Sequence, residues 1–142
     1  MILIDTDHAT FFKYPASDRG RRFIQRLKSM PESEVIGISI VTIEERMRGW
    51  LAAIAKEKSA TRQVFAYREL AGIFEFYREF EVVQFDDSAA RQFEDFRKQR
   101  IRLATMDLKI ASTAVSNKAI LLSANLTDFS QVPSLQVENW LD

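Results

Sequence analysis

The chain has 142 residues, 46% of them hydrophobic and 28% charged, and these values predict one soluble globular domain with a full core, covering residues 1–142. Its 20 basic and 20 acidic residues give a formal net charge of zero, which excludes a global field that draws the molecule onto nucleic acid or membrane. The absence of cysteine and the presence of one histidine exclude disulfides, thiolate metal sites and multi-histidine zinc sites.

The N-terminus does not have the pattern of a signal peptide, because no basic region precedes its short apolar run and Asp5 interrupts that run. No apolar stretch approaches the length that spans a membrane. We therefore expect a cytoplasmic protein with no membrane partner.

The chain opens with the pattern of a central strand. Ile2, Leu3 and Ile4 are branched and apolar, which is typical of a strand buried on both faces, and Asp5 follows where the strand should end. Ligands of open parallel α/β sheets collect beyond the carboxyl ends of the strands, so Asp5 is a candidate for binding a cation or a proton. The alternative is that Asp5 starts a turn and Asp7 caps the following helix.

The rest of the chain alternates between helical and strand patterns. Strands are predicted at 35–40, 81–85, 119–122 and 135–137, and helices at 7–13, 17–30, 42–54, 60–77, 86–100 and 105–117. Tyr14-Pro15-Ala16 separates the first two helices. Alternation without obvious hairpins predicts an α/β fold of three layers, α/β/α, with a central parallel sheet of about four to five strands.

The two long helices in the middle of the chain should form a hairpin that projects from the sheet. In the first, apolar residues repeat at helical spacing and should lie on the sheet: Ile43, Met47, Trp50, Leu51 and Ile54. In the second, the residues expected to face inward are Val64, Leu70, Ile73 and Phe74.

Three further carboxylates fall at comparable places. Glu45 has two interpretations: it forms a capping box with Thr42, or it faces the active edge of the sheet, and periodicity does not decide between them. Asp107 lies on the small, apolar side of its helix, where a buried charge needs a partner that the sequence does not obviously supply. Asp128 follows the fourth strand and is either a ligand or a turn residue. Such acids suit Mg²⁺ or Mn²⁺, which prefer oxygen ligands and promote phosphoryl displacement.

With these motifs the chain resembles the PIN-domain nucleases, and within them the VapC-type toxins of bacterial toxin–antitoxin pairs. The resemblance covers nearly the whole length. It rests on four motifs in order: Leu3-Ile4-Asp5-Thr6-Asp7; Ser39-Ile40-Val41-Thr42-Ile43-Glu44-Glu45 with Gly49; Asp107-Leu108-Lys109-Ile110-Ala111 with Ala114; and Ser123-Ala124-Asn125 with Asp128-Phe129.

The resemblance implies a Mg²⁺- or Mn²⁺-dependent endoribonuclease with a PIN-like fold. Asp5, Glu45 and Asp107 match the family's three acidic residues, and the glycine register selects Glu45 over Glu44. Asp128 matches the variable fourth position, where it or Asn125 completes the site or orients a water. The hydroxyl of Thr6 is expected to support the site. Two departures are Arg46, where the family often has leucine, and Asn125, where some members have a fourth acid.

The family also implies an RNA substrate, a homodimer, and inhibition by a small antitoxin. Basic residues on two stretches are candidate phosphate contacts, although a basic run on a helix is usually a solvated face. These candidates are Arg19, Arg21, Arg22, Arg97, Lys98, Arg100 and Arg102.

Two other interpretations compete with the nuclease. Asp5 and Asp7 at the end of the first strand resemble the haloacid dehalogenase phosphatases, but Ala9 departs from that motif. A catalytically inactive PIN-like scaffold that binds RNA or protein is the non-enzymatic alternative, and retention of the three core acids argues against it.

Overall fold

A five-stranded parallel sheet forms the centre of the structure. Its strands are short: β1 (Ile2–Ile4), β2 (Ile36–Ser39), β3 (Glu81–Val83), β4 (Ile120–Leu122) and β5 (Gln136–Glu138). Every pairing is parallel, and the order across the sheet is β3-β2-β1-β4-β5. The computed structural model describes residues 1–14 and 16–142, so the predicted break at Pro15 lies outside the described residues.

Helices cover both faces of this sheet. They are α1 (Thr6–Lys13), α2 (Asp18–Lys28), α3 (Ile40–Lys56), α4 (Ala60–Tyr77), α5 (Asp87–Lys98), α6 (Thr105–Ser116) and the short α7 (Leu126–Phe129). The predicted three-layer α/β/α fold with a central parallel sheet is confirmed.

The central strand divides the hydrophobic core into two halves. Leu3 packs in one half, with residues of α5 and α6 such as Phe93 and Leu108. Its neighbours Ile2 and Ile4 pack in the other half, with residues of α1, α2 and α4. All three residues of β1 are fully buried, which explains why the strand is apolar without alternation.

The strand order reverses beside β1. From β1 the chain builds β2 and β3 on one side, and then β4 and β5 on the other. In open parallel sheets the ligand crevice lies at such a reversal, outside the carboxyl ends of the strands. Asp5 follows β1 and Ser123 follows β4, so both stand at this crevice.

The helix caps differ from the sequence prediction at two places. Asp5, and not Asp7, is the N-cap of α1, and its side chain accepts a hydrogen bond from the N–H of Thr6. Ser39, and not Thr42, caps α3, and its side chain accepts from the N–H of Val41. Of the two interpretations of Glu45, the capping box with Thr42 is therefore excluded, since Thr42 lies inside the first turn of the helix.

The orientation of α4 also differs from the prediction. The helix buries Ala66, Ile73 and Tyr77, whereas Val64 and Phe74 are 51% and 64% exposed. The apolar residues of α4 itself occur on every side of the helix. Their spacing in the sequence therefore could not show which side faces the core. Leu51 of α3 is likewise exposed.

No helix in the described part of the chain is long and apolar enough to cross a membrane.

Candidate active site

The side chain of Asp5 is held at the crevice by two hydrogen-bond donors, one from the residue that follows it after β1 and one from the residue after β4. Its Oδ1 accepts a hydrogen bond from the backbone N–H of Thr6 at 2.9 Å, and its Oδ2 accepts one from the hydroxyl of Ser123 at 2.9 Å. Its backbone N–H continues the sheet by donating to the carbonyl of Leu122. These contacts fix the carboxylate and leave further lone pairs on both oxygens for a ligand.

The surroundings of Asp5 favour its protonated form. Burial raises the pKa of this carboxyl, and the nearby charges of Asp7 and Asp107 raise it further. The hydrogen bonds from Thr6 and Ser123 act in the opposite direction but do not outweigh burial. Asp5 is thus a carboxylate whose charge lacks compensation.

Glu45 and Asp107 lie close enough to Asp5 for the carboxylate charges to interact. Burial raises the pKa of Glu45, and the charges of Asp107, Asp5 and Glu44 add to that rise. Burial also raises the pKa of Asp107, with a further contribution from Asp128. The structure therefore brings together residues from β1, α3, α6 and α7 as a group of mutually repelling carboxylates.

In the described part of the chain, no ion pair with a basic side chain neutralises this group. Among the ion pairs of the described residues, none involves Asp5, Glu45, Asp107 or Asp128. Equally, within residues 1–14 and 16–142 no three histidine, cysteine or acidic side chains are gathered into a ready-made metal cage. The carboxylates share a cleft without forming a closed ligand set.

The donor set nevertheless fits a hard divalent cation. Mg²⁺ binds oxygen ligands and keeps several waters, so it takes one or two carboxylates directly and needs no closed protein cage. Asp5 and Asp107 supply such oxygens, with Glu45 beside them. Burial is the main cause of the raised pKa values of all three, and neighbouring carboxylates add to the rise, so the group favours a partner of positive charge.

Asn125 and Asp128 form a pair at the rim of the cleft. The side-chain amide of Asn125 donates to Oδ2 of Asp128 at 3.0 Å, and the backbone N–H of Asn125 donates to the hydroxyl of Ser123 at 3.1 Å. Ser123 in turn donates to Asp5. The pair is therefore connected to Asp5 through one hydroxyl group.

Thr6 lies beside Asp5, as the motif predicts, but the observed contact differs from the expected one. Its backbone N–H donates to Asp5. The side chain instead lines a neighbouring cavity between α1, α3 and α4.

A second network behind Asp5 was missed by the sequence analysis. Asp7 accepts hydrogen bonds from the N–H of Ala124 at 2.9 Å and from Nδ1 of His8 at 2.6 Å. Nε2 of His8 accepts from the backbone N–H of Trp140 at 3.0 Å. Because a backbone N–H can only donate, the ring proton is on Nδ1, where it is donated to Asp7.

This network stabilises the charge of Asp7. Burial alone would raise the pKa of Asp7, but the hydrogen bonds from His8 and Ala124 outweigh burial and lower it. Asp7 and Asp5 thus differ in character although they are two residues apart. The available signal was the chain's one histidine directly after Asp7, since the ring nitrogens of a histidine need polar partners wherever the ring is buried.

The predicted RNA-contacting arginines are all exposed and lie on two separate stretches. On α2, Arg19 pairs with Asp142 at 3.5 Å, and Arg22 lies nearby on the same helix. Arg97, Arg100 and Arg102 precede α6, the helix that carries Asp107 in its first turn. Each stretch adjoins an element that carries one of the acids, since α2 follows α1, which Asp5 caps, and the second stretch leads into α6.

The fold and the acidic group together define a class of α/β protein. In this class, carboxylates that have no basic partner lie where the order of the parallel strands reverses. Residues 2–135 match the family model described as the PIN domain, and the chain belongs to that family. The resemblance inferred from the sequence motifs is confirmed.

Relatives and solved structures agree with this assignment. The chain is 23% identical to "Ribonuclease VapC2" of Rickettsia felis, with 97% of this chain and 96% of the relative covered. It is similar to a chain in the structure of VapBC-1 from nontypeable Haemophilus influenzae, with 18% identity, a TM-score of 0.75 and 100% of each chain covered. A chain in DNA-bound VapBC from Salmonella typhimurium is 25% identical, with a TM-score of 0.72 and 99% of each chain covered.

Proposed function

We propose that this protein is a metal-dependent endoribonuclease of the VapC type, a toxin that hydrolyses RNA phosphodiester bonds and is inhibited by a cognate antitoxin. The observation that carries the proposal is the group of carboxylates at the strand reversal: burial raises the pKa values of Asp5, Glu45 and Asp107, and the charge of Asp107 adds to the rise in the other two. Full-length similarity to a protein named as a VapC ribonuclease supports the reaction class.

Within this proposal, Asp5 and Asp107 hold Mg²⁺ or Mn²⁺, and Glu45 binds it directly or through water. When bound, such an ion promotes attack of water on a phosphodiester and stabilises the charge that develops on phosphate oxygens. Asp128, or Asn125 bonded to it, completes the site or orients the attacking water. The hydrogen bonds from Ser123 and Thr6 keep Asp5 in a fixed orientation for this role.

The RNA backbone would be positioned by exposed arginines. Arg97, Arg100 and Arg102 are the favoured contacts because they precede the helix that carries Asp107. Arg19 and Arg22 on α2 are further candidates. Contacts of this kind fix the strand without reading its sequence.

The partners proposed for this protein are a small antitoxin and a second copy of the chain. Solved structures similar to this chain are described as VapBC and as a "Toxin-antitoxin complex from Klebsiella pneumoniae". We propose that the same kind of partner inhibits this protein in the cytoplasm. Co-expression with a small antitoxin encoded next to it should relieve its toxicity.

A catalytically inactive scaffold that binds RNA or protein is the second candidate. It is favoured by one observation, the absence of a closed ligand group among the described residues. A scaffold would bind RNA or a protein without cutting it. Metal-dependent cleavage of RNA therefore distinguishes the two candidates.

The deciding experiment compares two adjacent glutamates on α3. Structured RNA is incubated with the wild type, Glu45→Gln and Glu44→Gln, with Mn²⁺ or with EDTA. The proposal expects cleavage by the wild type and Glu44→Gln only when metal is present. We also expect a loss of about tenfold or more in Glu45→Gln, the least that removal of a water-mediated contact to the metal costs. Metal-independent activity, or equal activity of both variants, would contradict it.

A further inference from the structure

The polar network behind Asp5 is anchored in the hydrophobic core by one ring. His8 is fully buried and meets Phe23 edge to face, with ring centroids 5.2 Å apart. Its Nδ1 donates to Asp7 at 2.6 Å, and its Nε2 accepts from the backbone N–H of Trp140 at 3.0 Å. Both ring nitrogens are therefore bonded, and the ring can turn only by breaking both bonds.

The C-terminal segment, residues 139–142, fixes the far side of this ring. Trp140 is 6% exposed, and its indole N–H donates to Glu138 at 2.6 Å. The guanidinium of Arg26 lies 4.0 Å from the centre of the same indole ring. These contacts hold the backbone N–H that meets Nε2 of His8, and this bond keeps the ring proton on Nδ1.

Asp7 connects the ring to the loop that follows β4. Its side chain is 34% exposed, so packing alone does not fix the carboxylate. The bond from His8 holds Oδ1, and Oδ2 then faces the loop, where it accepts from the N–H of Ala124 at 2.9 Å. The same Oδ2 lies 3.4 Å from the hydroxyl of Ser123, the group that donates to Asp5. The loop that holds Asp5 is thus itself held by Asp7.

We propose that His8 is a positioning residue of the acidic group: through Asp7 it holds the loop that carries Ser123. The inference rests on the proposed metal-dependent function. Without the bond from His8, the partly exposed carboxylate of Asp7 can turn towards water, and the N–H of Ala124 then loses its acceptor. The hydroxyl of Ser123 is no longer kept in place to orient Asp5, and the orientation of a metal ligand depends on such outer contacts.

Two substitutions of His8 separate its two hydrogen bonds. Asparagine places its amide nitrogen close to the position of Nδ1, so His8→Asn can still donate to Asp7 but offers no acceptor to the N–H of Trp140. Glutamine places its side-chain oxygen close to the position of Nε2, so His8→Gln keeps that acceptor and loses the donor. Leu27→Ala is the control, because Leu27 is buried in the same half of the core as Phe23 and the substitution removes packing alone.

The first measurement is hydrogen exchange at the amide of Ala124 in EDTA, so that it does not depend on metal. Ala124 is exposed, and its bond to Asp7 protects the amide. Exchange in His8→Gln should be faster by about tenfold or more, the factor that a hydrogen bond to a charged group contributes. His8→Asn and Leu27→Ala should exchange as the wild type does, although the melting temperature should fall in all three variants.

The second measurement is Mn²⁺ binding by calorimetry, without RNA. Loss of an outer contact to a metal ligand weakens metal binding by about tenfold to a hundredfold. Because His8 acts on Asp5 through other residues, we expect the lower figure, about tenfold, in His8→Gln. His8→Asn and Leu27→Ala should bind Mn²⁺ as the wild type does.

The inference is wrong if both His8 variants show the same exchange and the same Mn²⁺ affinity, or if the losses follow the melting temperature instead of the bond to Asp7. A ring proton on Nε2, seen in the nitrogen chemical shifts of the chain's one histidine, would also overturn it.

Cleavage of structured RNA by the wild type in Mn²⁺ separates this inference from the proposed function. The expected difference between His8→Asn and His8→Gln, without cleavage by the wild type, would overturn the nuclease alone. Cleavage by the wild type without that difference would overturn the role of His8 alone. A wild type that binds no Mn²⁺ would overturn both.

Discussion

The hydroxyl of Ser123 donates a hydrogen bond to Oδ2 of Asp5 at 2.9 Å, across 118 positions of the chain. The two residues follow β4 and β1, which pair in the sheet, so the contact exists only when those strands are in register. The same hydroxyl accepts from the N–H of Asn125. One serine thus joins the central strand, the loop after β4 and the pair formed by Asn125 and Asp128.

Replacing Ser123 with alanine should weaken metal binding more than it weakens the fold. In this variant the N–H of Thr6 is the remaining donor to Asp5. The pKa of Asp5 should therefore rise further, because the bond from Ser123 lowers it. A hydrogen bond to a charged group contributes about 1.5–3 kcal/mol. The measurement is the Mn²⁺-induced increase in melting temperature, which should shrink. Ser130→Ala is the control, because that hydroxyl donates to an exposed backbone carbonyl; an equal decrease in both variants would contradict the role of Ser123.

Without metal, Asp5→Asn should be more stable than the wild type at neutral pH, and this advantage should disappear in acid. A carboxyl whose pKa is raised on folding destabilises the native state when it is ionised, because the native state then binds the proton more tightly than the unfolded state does. The penalty is present above the raised pKa of Asp5 and is lost as the pH falls towards the ordinary value of 3.8. Urea unfolding of both proteins across this window measures the difference. An advantage that does not change with pH would contradict the electrostatic explanation.

Asp7 and His8 should behave as one energetic unit. His8→Phe keeps the ring that packs against Phe23 but removes the donor to Asp7 and the acceptor for the N–H of Trp140, which should cost at least about 2 kcal/mol. In Asp7→Asn the amide NH₂ group faces either Nδ1–H of His8 or the N–H of Ala124. Both of these groups are donors, so one hydrogen bond is lost in either orientation. In the double variant the two losses should overlap by about 1 kcal/mol or more.

The free energies of unfolding of the two single variants and the double variant measure this coupling. Simple additivity would show that the hydrogen bond between Asp7 and His8 contributes nothing.

Gly37 on β2 should not tolerate a side chain. A Cβ atom there would lie 2.8 Å from Cγ2 of Val83 and 3.1 Å from the carbonyl oxygen of Glu81, and the backbone of β3 cannot move aside. Gly37→Ala should therefore destabilise the fold by about 1–3 kcal/mol. Gly49→Ala on α3 is the matched control, since no atom lies within 4 Å of its added Cβ and alanine favours a helix by about 1 kcal/mol. Opposite signs in thermal unfolding are expected, and equal effects would contradict the close packing at Gly37.

The sequence was sufficient for the order of the strands and of the six longer helices, whereas the short α7 falls where no element was predicted. The uninterrupted apolar run of β1 and the alternation of strands and helices carry that information, because burial on both faces leaves a pattern that is easy to read. Adjacent capping residues do not: Asp5 and Asp7 have equal intrinsic preference for an N-cap, as do Ser39 and Thr42, and the strand's end decides between them.

Contacts between distant parts of the chain were beyond the sequence analysis. The hydrogen bond between His8 and Trp140 joins residues 132 positions apart, and no local pattern indicates it. The face of α4 was equally undetermined, because Val64 and Phe74 are as apolar as the buried Ile73.

The most direct test of the account is RNA cleavage by Asp5→Asn with and without Mn²⁺, measured on the sample whose melting temperature is recorded. The Oδ1 of asparagine can still accept from the N–H of Thr6, and its amide can donate to the hydroxyl of Ser123 in place of accepting from it, while the charge that binds a cation is removed. We expect Asp5→Asn to fold and, without metal, to be at least as stable as the wild type. The variant should cleave no RNA and should gain no stability from Mn²⁺. A folded variant that still cleaves RNA in Mn²⁺ would contradict it.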